Sequence, residues 1–308
     1  MAICLVTGGA GFIGSHLVEL LLTKGHTVRV LDDFSTGKVE NLANATGELS
    51  VIKGDICNKS TVNKASKSVD FIFHEAAVVS VSQSIKDPIK TTNININGSK
   101  NVLEAALENN AKKVIFASSA AVYGDTKPPL SEDLEGKPLS PYGKSKLEVE
   151  LLLKQYHKSN GLKFVALRYF NVYGPRQSAS SESGVIATFL DDFHKNKVPV
   201  VFGDGKQTRD FIYVRDVALA NLRAMETSKA DGEAINVATG KSIDLNQLVA
   251  TLNTLYGKNI QPVYDGERVG DIKYSYADTK KAETLLGFSA NTTLENGLKR
   301  TMKWRACF

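Results

Sequence analysis

A tyrosine and a lysine four residues apart could carry a proton transfer. Tyr142 and Lys146 form a Y-x-x-x-K pattern, and in a helix this spacing places both side chains on one face. Because a free tyrosine loses its proton only at about pH 10, a nearby ammonium is needed to favour the phenolate. Ser119 follows a predicted strand and could hydrogen-bond a substrate hydroxyl or keto oxygen. Together these residues could take a proton from a carbinol while its hydride passes to a nicotinamide.

A glycine-rich segment near residue 10 could bind a dinucleotide. Gly8, Gly11 and Gly14 form G-x-x-G-x-x-G between a predicted strand and a predicted helix. Glycines let the backbone approach a pyrophosphate, and the helix N-terminus offers free N–H groups. Asp32 follows the next predicted strand, where a carboxylate accepts hydrogen bonds from the adenosine ribose. Since that carboxylate repels a 2′-phosphate, the sequence favours NAD over NADP.

Strands and helices alternate through the first half of the chain. Strands are predicted at 3–7, 27–31, 49–53, 70–74, 114–117 and 164–167, and long helical patterns at 90–108 and 141–157. The alternation predicts an α/β fold with a Rossmann-type, doubly wound parallel sheet. In such sheets ligands bind beyond the carboxyl ends of the strands. One cleft could therefore collect Asp32, Asp55, Ala77, Ser119 and Asn171.

The pattern is less regular after residue 171. Helices are predicted at 184–195, 214–225, 245–256 and 294–304, and an extended segment at 198–202. No repeat or low-complexity linker separates the two halves. We expect an NAD-binding domain over residues 1–170. A smaller C-terminal α/β substrate lobe is expected over 171–308, with segments that return to the first domain.

Composition excludes several classes of protein. The chain has 308 residues, 42% of them apolar and 23% charged, with a net charge of +5 that is scattered along the chain. This excess does not by itself indicate nucleic acid, and no apolar run approaches the ~18 residues of a membrane span. Cys4, Cys57 and Cys307 fit neither a disulfide framework nor a metal site. We expect a cytoplasmic protein with no metal, membrane or nucleic-acid partner.

Three motifs resemble those of the extended short-chain dehydrogenase/reductases, and among them the UDP-hexose 4-epimerases. They occupy residues 7–16, 118–124 and 140–146, and the resemblance extends from residue 3 to about residue 304. It implies that Tyr142 takes the proton from the sugar O4 while the C4 hydride passes to NAD. The 4-keto sugar would then rotate, and hydride would return to its other face, which inverts C4.

The resemblance also implies which residues bind the two ligands. NAD is expected at Gly8, Gly11, Phe12, Ile13, Gly14, Asp32, Asp33, Asp55, Ile56, Ala76, Ala77, Asn95, Ser118, Tyr142, Lys146 and Phe170. The UDP-sugar is expected at Ser119, Tyr142, Asn171, Val200, Phe202, Arg209, Arg268, Asp271 and Ser275. Among these, Asn171, Arg209 and Arg268 would hold the diphosphate, because guanidinium groups suit phosphate oxygens.

Substrate choice is expected to depend on Ser275. In the family, a tyrosine at this position restricts the enzyme to glucose and galactose, whereas a small residue admits an N-acetyl group at C2. The resemblance therefore implies that UDP-GlcNAc and UDP-GalNAc are accepted. Family members are also commonly homodimers joined by the helices near 90–108 and 141–157.

Other functions on the same fold stay open to different degrees. Dehydratases carry an acidic pair just after the catalytic hydroxyl and decarboxylases a glutamate there, whereas this chain has Ala120 and Ala121. UDP-glucuronate 4-epimerases lack the acidic pair, so the motif does not separate them from this chain. A non-catalytic NAD-binding sensor typically loses the tyrosine or the lysine, and both Tyr142 and Lys146 are present.

Overall fold

The computed structural model describes residues 1–178, 184–267 and 272–307. Its strands are β1 (Ile3–Thr7), β2 (Thr27–Asp32), β3 (Leu49–Lys53), β4 (Phe71–His74), β5 (Lys113–Ser119), β6 (Phe164–Tyr169), β7 (Asn171–Tyr173), β8 (Val200–Phe202), β9 (Thr208–Arg209), β10 (Phe211–Tyr213), β11 (Glu233–Val237), β12 (Ile243–Asp244) and β13 (Val263–Asp265). Its helices are α1 (Phe12–Thr23), α2 (Lys59–Ser66), α3 (Val81–Lys86), α4 (Pro88–Thr92), α5 (Ser99–Glu108), α6 (Pro141–Asn160), α7 (Val185–His194), α8 (Val214–Glu226), α9 (Leu245–Tyr256), α10 (Lys280–Leu286) and α11 (Leu294–Arg305). None of the helices in these ranges is long and apolar enough to cross a bilayer.

A seven-stranded parallel sheet forms the centre of the protein. Its strand order is β11-β6-β5-β4-β1-β2-β3. The chain runs outward from β1 to β3 and then crosses to β4 on the other side of β1. The direction of winding changes between β1 and β4, and in doubly wound sheets ligands bind beyond the carboxyl ends of the strands at this point. The predicted Rossmann-type, doubly wound sheet is confirmed.

Both faces of the sheet are covered, because its strands carry apolar residues at successive positions. In β5, Ile115 and Ala117 join one core cluster, whereas Val114 and Phe116 join another. The first cluster includes residues of α1 and α8, and the second includes residues of α2, α5 and α6. The long apolar runs of the sequence thus reflect strands buried on two sides.

Among the elements that differ from the sequence prediction, two help to build the central sheet and the site. The helical pattern 90–108 is observed as α4, a π-helical stretch at Asn93–Gly98, and α5. β11 is not predicted, since its five residues include Glu233 and a fully buried Asn236, and they form no apolar run. This strand pairs with β6, and α8 packs against α1, so the segment from α8 to β11 completes the first sheet.

The remaining C-terminal residues form a smaller layered unit. α7, α9 and α11 contribute to one apolar cluster together with β7, β8 and β10. Three pairs of short strands lie in this half: β7 with β10, β8 with β13, and β9 with β12. The division into a domain of residues 1–170 and a lobe of 171–308 stays a prediction.

Candidate active site

The glycine-rich loop joins β1 to α1, and no side chain of the loop covers the N-terminus of this helix. Gly8 has φ +70°, and a Cβ atom there would lie 2.7 Å from the Ala76 nitrogen, so only glycine fits. A Cβ atom on Gly14 would overlap the Gly8 carbonyl oxygen. α1 begins at Phe12, and no side chain caps its first turn. The backbone N–H groups at this N-terminus therefore suit a phosphate group.

Two carboxylates lie at the end of β2, beside the glycine loop. Asp32 is buried, and its two oxygens accept hydrogen bonds from the backbone nitrogens of Ala10 (2.9 Å) and Phe34 (2.8 Å). Burial raises the pKa of Asp32, while these two hydrogen bonds lower it. Asp33 is exposed and accepts from the Ser35 nitrogen at 2.9 Å. Each carboxylate oxygen can accept further bonds, as a ribose ligand requires.

Tyr142 and Lys146 lie on one face of α6, above the carboxyl end of β5. Ser140 caps this helix by accepting a hydrogen bond from the Gly143 nitrogen at 3.1 Å, which fixes the first turn. The Lys146 ammonium donates to the Ala117 carbonyl oxygen at 2.7 Å. Burial lowers the pKa of Lys146 to about 8 and raises the pKa of Tyr142.

Ser119 joins the tyrosine at this edge of the sheet. Its side chain interacts with Tyr142, and this interaction lowers the pKa of the phenol, whereas burial raises it. The Ser119 hydroxyl also accepts from the Ala121 nitrogen at 3.2 Å, which holds it at the end of β5. The structure therefore brings together the three residues expected to catalyse.

Sequence reasoning missed Glu75, which also lies at this edge. The Tyr169 hydroxyl donates to its Oε1 atom at 2.7 Å, and burial raises the pKa of Glu75 to about 7. The residue interacts electrostatically with both Tyr142 and Lys146. The one signal available in the sequence is its position directly after β4, where ligand-facing residues of a doubly wound sheet collect.

The π-helical stretch Asn93–Gly98 directs Asn95 into the protein. Asn95 Oδ1 accepts from the Val78 nitrogen at 2.8 Å, and Asn95 Nδ2 donates to the Val78 carbonyl oxygen and to the Ser145 hydroxyl, both at 3.0 Å. Because both amide protons are used, Asn95 fastens the segment after β4 to α6. Its contact with the cofactor stays a prediction.

Other residues expected to bind NAD differ in exposure. Ala76 and Ala77 lie partly exposed after β4, and Asp55 is exposed and accepts from the Cys57 nitrogen at 2.8 Å. Ile56 is buried, as is Phe170, whose ring packs against that of Tyr123 with centroids 6.4 Å apart.

The Ser118 hydroxyl belongs to a buried polar network. It donates to Glu150 Oε1 at 2.5 Å, and Glu150 accepts two further hydrogen bonds from the Arg168 guanidinium, at 3.0 and 2.7 Å. Arg168 also donates to the Tyr123 hydroxyl at 2.9 Å. The proton of the Ser118 hydroxyl is therefore used within this network.

Two of the residues expected to bind the sugar nucleotide, Asn171 and Arg209, lie next to Asp210. This fully buried carboxylate accepts from the nitrogens of Thr239 and Gly240, both at 2.8 Å, and its backbone oxygen accepts from the Asn171 nitrogen at 3.0 Å. The neighbouring Arg209 is partly exposed on β9. Asp210 thus joins the two segments, β7 and β9, that carry expected phosphate ligands.

Ser275 lies next to the strand that carries Arg209. Its backbone nitrogen donates to the Thr208 carbonyl oxygen at 3.2 Å, and its side chain is buried. Val200 and Phe202 lie on β8, which pairs with β13. Arg268 and Asp271 lie outside the described residues.

Comparisons with known proteins agree that this chain is similar to enzymes that act on nucleotide sugars. The model of a family described as the NAD dependent epimerase/dehydratase family matches residues 4–238. A putative UDP-glucose 4-epimerase of Methanocaldococcus jannaschii is 41% identical over 303 residues, 97% of each chain. A UDP-N-acetyl-alpha-D-glucosaminuronate decarboxylase of Bacillus cytotoxicus is 37% identical over 314 residues, 98% of this chain and 97% of that one.

A solved structure gives the same picture. It is a UDP-N-acetylglucosamine 4-epimerase from Methanobrevibacter ruminantium M1 in complex with UDP-N-acetylmuramic acid. The two chains are 41% identical with a TM-score of 0.95, and the match covers 99% of this chain and 98% of the other.

Proposed function

The chain belongs to the NAD dependent epimerase/dehydratase family, and from this membership we propose that it epimerises UDP-hexoses at C4. The proposed substrates are UDP-GlcNAc and UDP-GalNAc as well as UDP-glucose and UDP-galactose. The observation that carries the proposal is the meeting of Ser119, Tyr142 and Lys146 at the sheet edge that also holds the glycine loop. The resemblance to extended short-chain dehydrogenase/reductases is confirmed.

The cofactor is NAD, and the geometry of the loop fits it. The bare N-terminus of α1 would take the pyrophosphate, and Asp32 with Asp33 would take the adenosine ribose. When bound, NAD would supply a nicotinamide ring that can accept a hydride from the sugar and later donate it back. The chain's own residues must then bind the sugar, remove the proton of its C4 hydroxyl and later return it.

Tyr142 would act as the base in this scheme. Its phenolate would take the proton from O4 as the C4–H bond breaks, and return it once the keto group is reduced. The Ser119 hydroxyl would hydrogen-bond the same sugar oxygen. The Lys146 ammonium favours the phenolate through its charge, because it lies over the tyrosine ring.

The nucleotide part of the substrate would be held by the C-terminal lobe. Arg209 and Asn171 flank the buried Asp210 and would bind the diphosphate, with Arg268 as a further cation. Val200 and Phe202 would contact the uracil, and Asp271 its ribose. Holding the nucleotide away from the reacting carbon leaves the sugar free to present either face.

A second candidate function is a reaction on a UDP-sugar that carries a carboxylate group. The likeness to a UDP-N-acetyl-glucosaminuronate decarboxylase supports this reading. Against decarboxylation, positions 120 and 121 are both alanine and supply no acid or base. A 4-epimerase acting on UDP-glucuronate is therefore the stronger of the two alternatives.

A turnover panel tests the proposal. Purified enzyme would be given UDP-Glc, UDP-GlcNAc and UDP-GlcA in turn, with NAD, and NMR would follow the configuration at C4. We expect interconversion of UDP-GlcNAc and UDP-GalNAc. If only UDP-GlcA were turned over, the proposed substrates would be wrong. If its carboxylate were lost as CO₂, the proposed reaction would be wrong and the enzyme would be a decarboxylase.

We further propose that the protein works as a cytoplasmic homodimer. Large apolar side chains are exposed on three neighbouring helices: Ile85 (63% exposed) on α3, Ile89 (82%) on α4 and Leu151 (52%) on α6. Such a patch is typical of a subunit interface. The three cysteines are free thiols, which suits a reducing compartment.

A further inference from the structure

Glu75 is held in one position by a chain of hydrogen bonds. The buried Asn221 amide donates to the Tyr169 hydroxyl oxygen at 2.7 Å and to the Val217 carbonyl oxygen at 3.0 Å. Because the Tyr169 oxygen accepts from Asn221, its single proton is directed to Glu75 Oε1, 2.7 Å away. This donated hydrogen bond lowers the pKa of Glu75, whereas burial raises it to about 7, so the carboxylate is mostly ionised above that pH.

The titratable groups that act on Glu75 lie on α6 and at the end of β6. Among the described residues, Glu75 interacts electrostatically with the Lys146 ammonium and with the phenols of Tyr142 and Tyr169. The Lys146 ammonium donates to the Ala117 oxygen at 2.7 Å, and Ala117 follows Phe116, the register partner of His74, so the ammonium lies at the end of β5 beside the point where Glu75 follows β4. The charge of Glu75 therefore acts on the lysine and on the tyrosine together.

The neighbouring His74 does not add a charge. Hydrogen bonds of 2.8 Å join its two ring nitrogens to the Thr7 and Ser99 hydroxyls. The Ser99 hydroxyl proton is used on the Asn95 oxygen, so His74 Nε2 donates and Nδ1 accepts. Burial lowers the pKa of His74 to about 3, and the ring stays neutral.

We propose that Glu75 is a positioning residue that sets the proton affinity of the Tyr142–Lys146 pair, an inference that rests on the proposed function. Ionised Glu75 raises the pKa of both groups. When Tyr142 takes the substrate proton, the nearby carboxylate stabilises the protonated phenol and the lysine ammonium. Glu75 thus places the working range of the enzyme at higher pH.

The test removes this charge and keeps the shape of the side chain. In Glu75→Gln the amide oxygen still accepts from Tyr169, while Tyr142 and Lys146 both bind protons less tightly. We expect both limbs of the kcat/KM profile to move to lower pH, by about half a pH unit or more. A purely structural role would lower activity at every pH and leave the limbs in place. Glu148→Gln, which removes an exposed carboxylate from α6, the helix that carries Tyr142 and Lys146, is the control.

A second readout does not need turnover. The ultraviolet absorbance of tyrosinate would be titrated with and without NAD, and the matching Tyr142→Phe protein would be subtracted each time. We expect the Tyr142 signal to appear at lower pH in Glu75→Gln than in the unaltered protein. Glu75→Ala, with its melting temperature as the check on folding, removes the same charge and should shift the signal in the same direction.

The two proposals fail in different ways. If Tyr142 titrates at the same pH in Glu75→Gln and in the unaltered protein, the proposed role of Glu75 is wrong, whatever the substrate. A shifted titration in a protein that epimerises no UDP-sugar would overturn the proposed function and leave the role of Glu75 standing.

Discussion

The Lys146 ammonium lies 5.8 Å from the centre of the Tyr142 ring and donates to the Ala117 carbonyl oxygen at 2.7 Å. The lysine is thus anchored to β5, and it acts on the tyrosine through its charge. Burial lowers the pKa of Lys146 to about 8, so its charge weakens above that pH. The electrostatic support for the phenolate is therefore itself dependent on pH.

Loss of the lysine charge should impair proton transfer. In Lys146→Met the phenolate of Tyr142 loses its nearby cation, and we expect kcat to fall about 100-fold or more near neutral pH. Part of the loss should return at higher pH, as the tyrosine ionises without help. The measurement is turnover across pH, with the exposed Lys144→Met as control. Equal losses in both variants would contradict this assignment.

Enlarging Ser275 should narrow the substrate range. Its side chain is buried beside β9, so a tyrosine there would fill the space proposed for an N-acetyl group. We expect Ser275→Tyr to abolish turnover of UDP-GlcNAc while UDP-glucose turnover remains. Ser275→Ala should keep both activities. If Ser275→Tyr lowers the two activities in parallel, the residue does not select the C2 substituent.

Breaking the Glu150–Arg168 pair should destabilise the fold. The two side chains are almost fully buried and joined by two hydrogen bonds. Arg168→Met would leave the carboxylate buried without its cation, and we expect a loss of about 3–5 kcal/mol in the free energy of unfolding. Urea denaturation would measure it. Lys299→Met, which breaks an exposed pair with Glu295, should cost less than about 1 kcal/mol.

A charge in the exposed apolar patch should separate the proposed dimer. Ile89→Glu would place a carboxylate in the exposed apolar patch, and burying that carboxylate against a second subunit would be unfavourable. We expect light scattering to report a single-chain mass for this variant and twice that mass for the unaltered protein. Val263→Glu alters an exposed apolar residue on β13 and should leave the mass unchanged. A single-chain mass for the unaltered protein would refute the dimer.

The parts of the site that the sequence predicts are those formed by residues close together in the chain. The β1–glycine–α1 segment and the Tyr142–Lys146 spacing each depend on residues close together in the chain, so their patterns predict both structure and chemistry. Glu75 depends on Tyr169, 94 positions away, and β11 depends on pairing with β6. Neither has a local pattern, because a single carboxylate or a short mixed strand acquires its role only from distant neighbours.

The return of the chain to the first sheet limits how this protein can be divided. A fragment that ended near residue 170 would leave the edge of β6 unpaired and would uncover the apolar side of α1 that α8 protects. Open strand edges and exposed apolar faces promote aggregation. Circular permutants or split versions of this protein would therefore need to keep 214–237 covalently joined to the N-terminal segment.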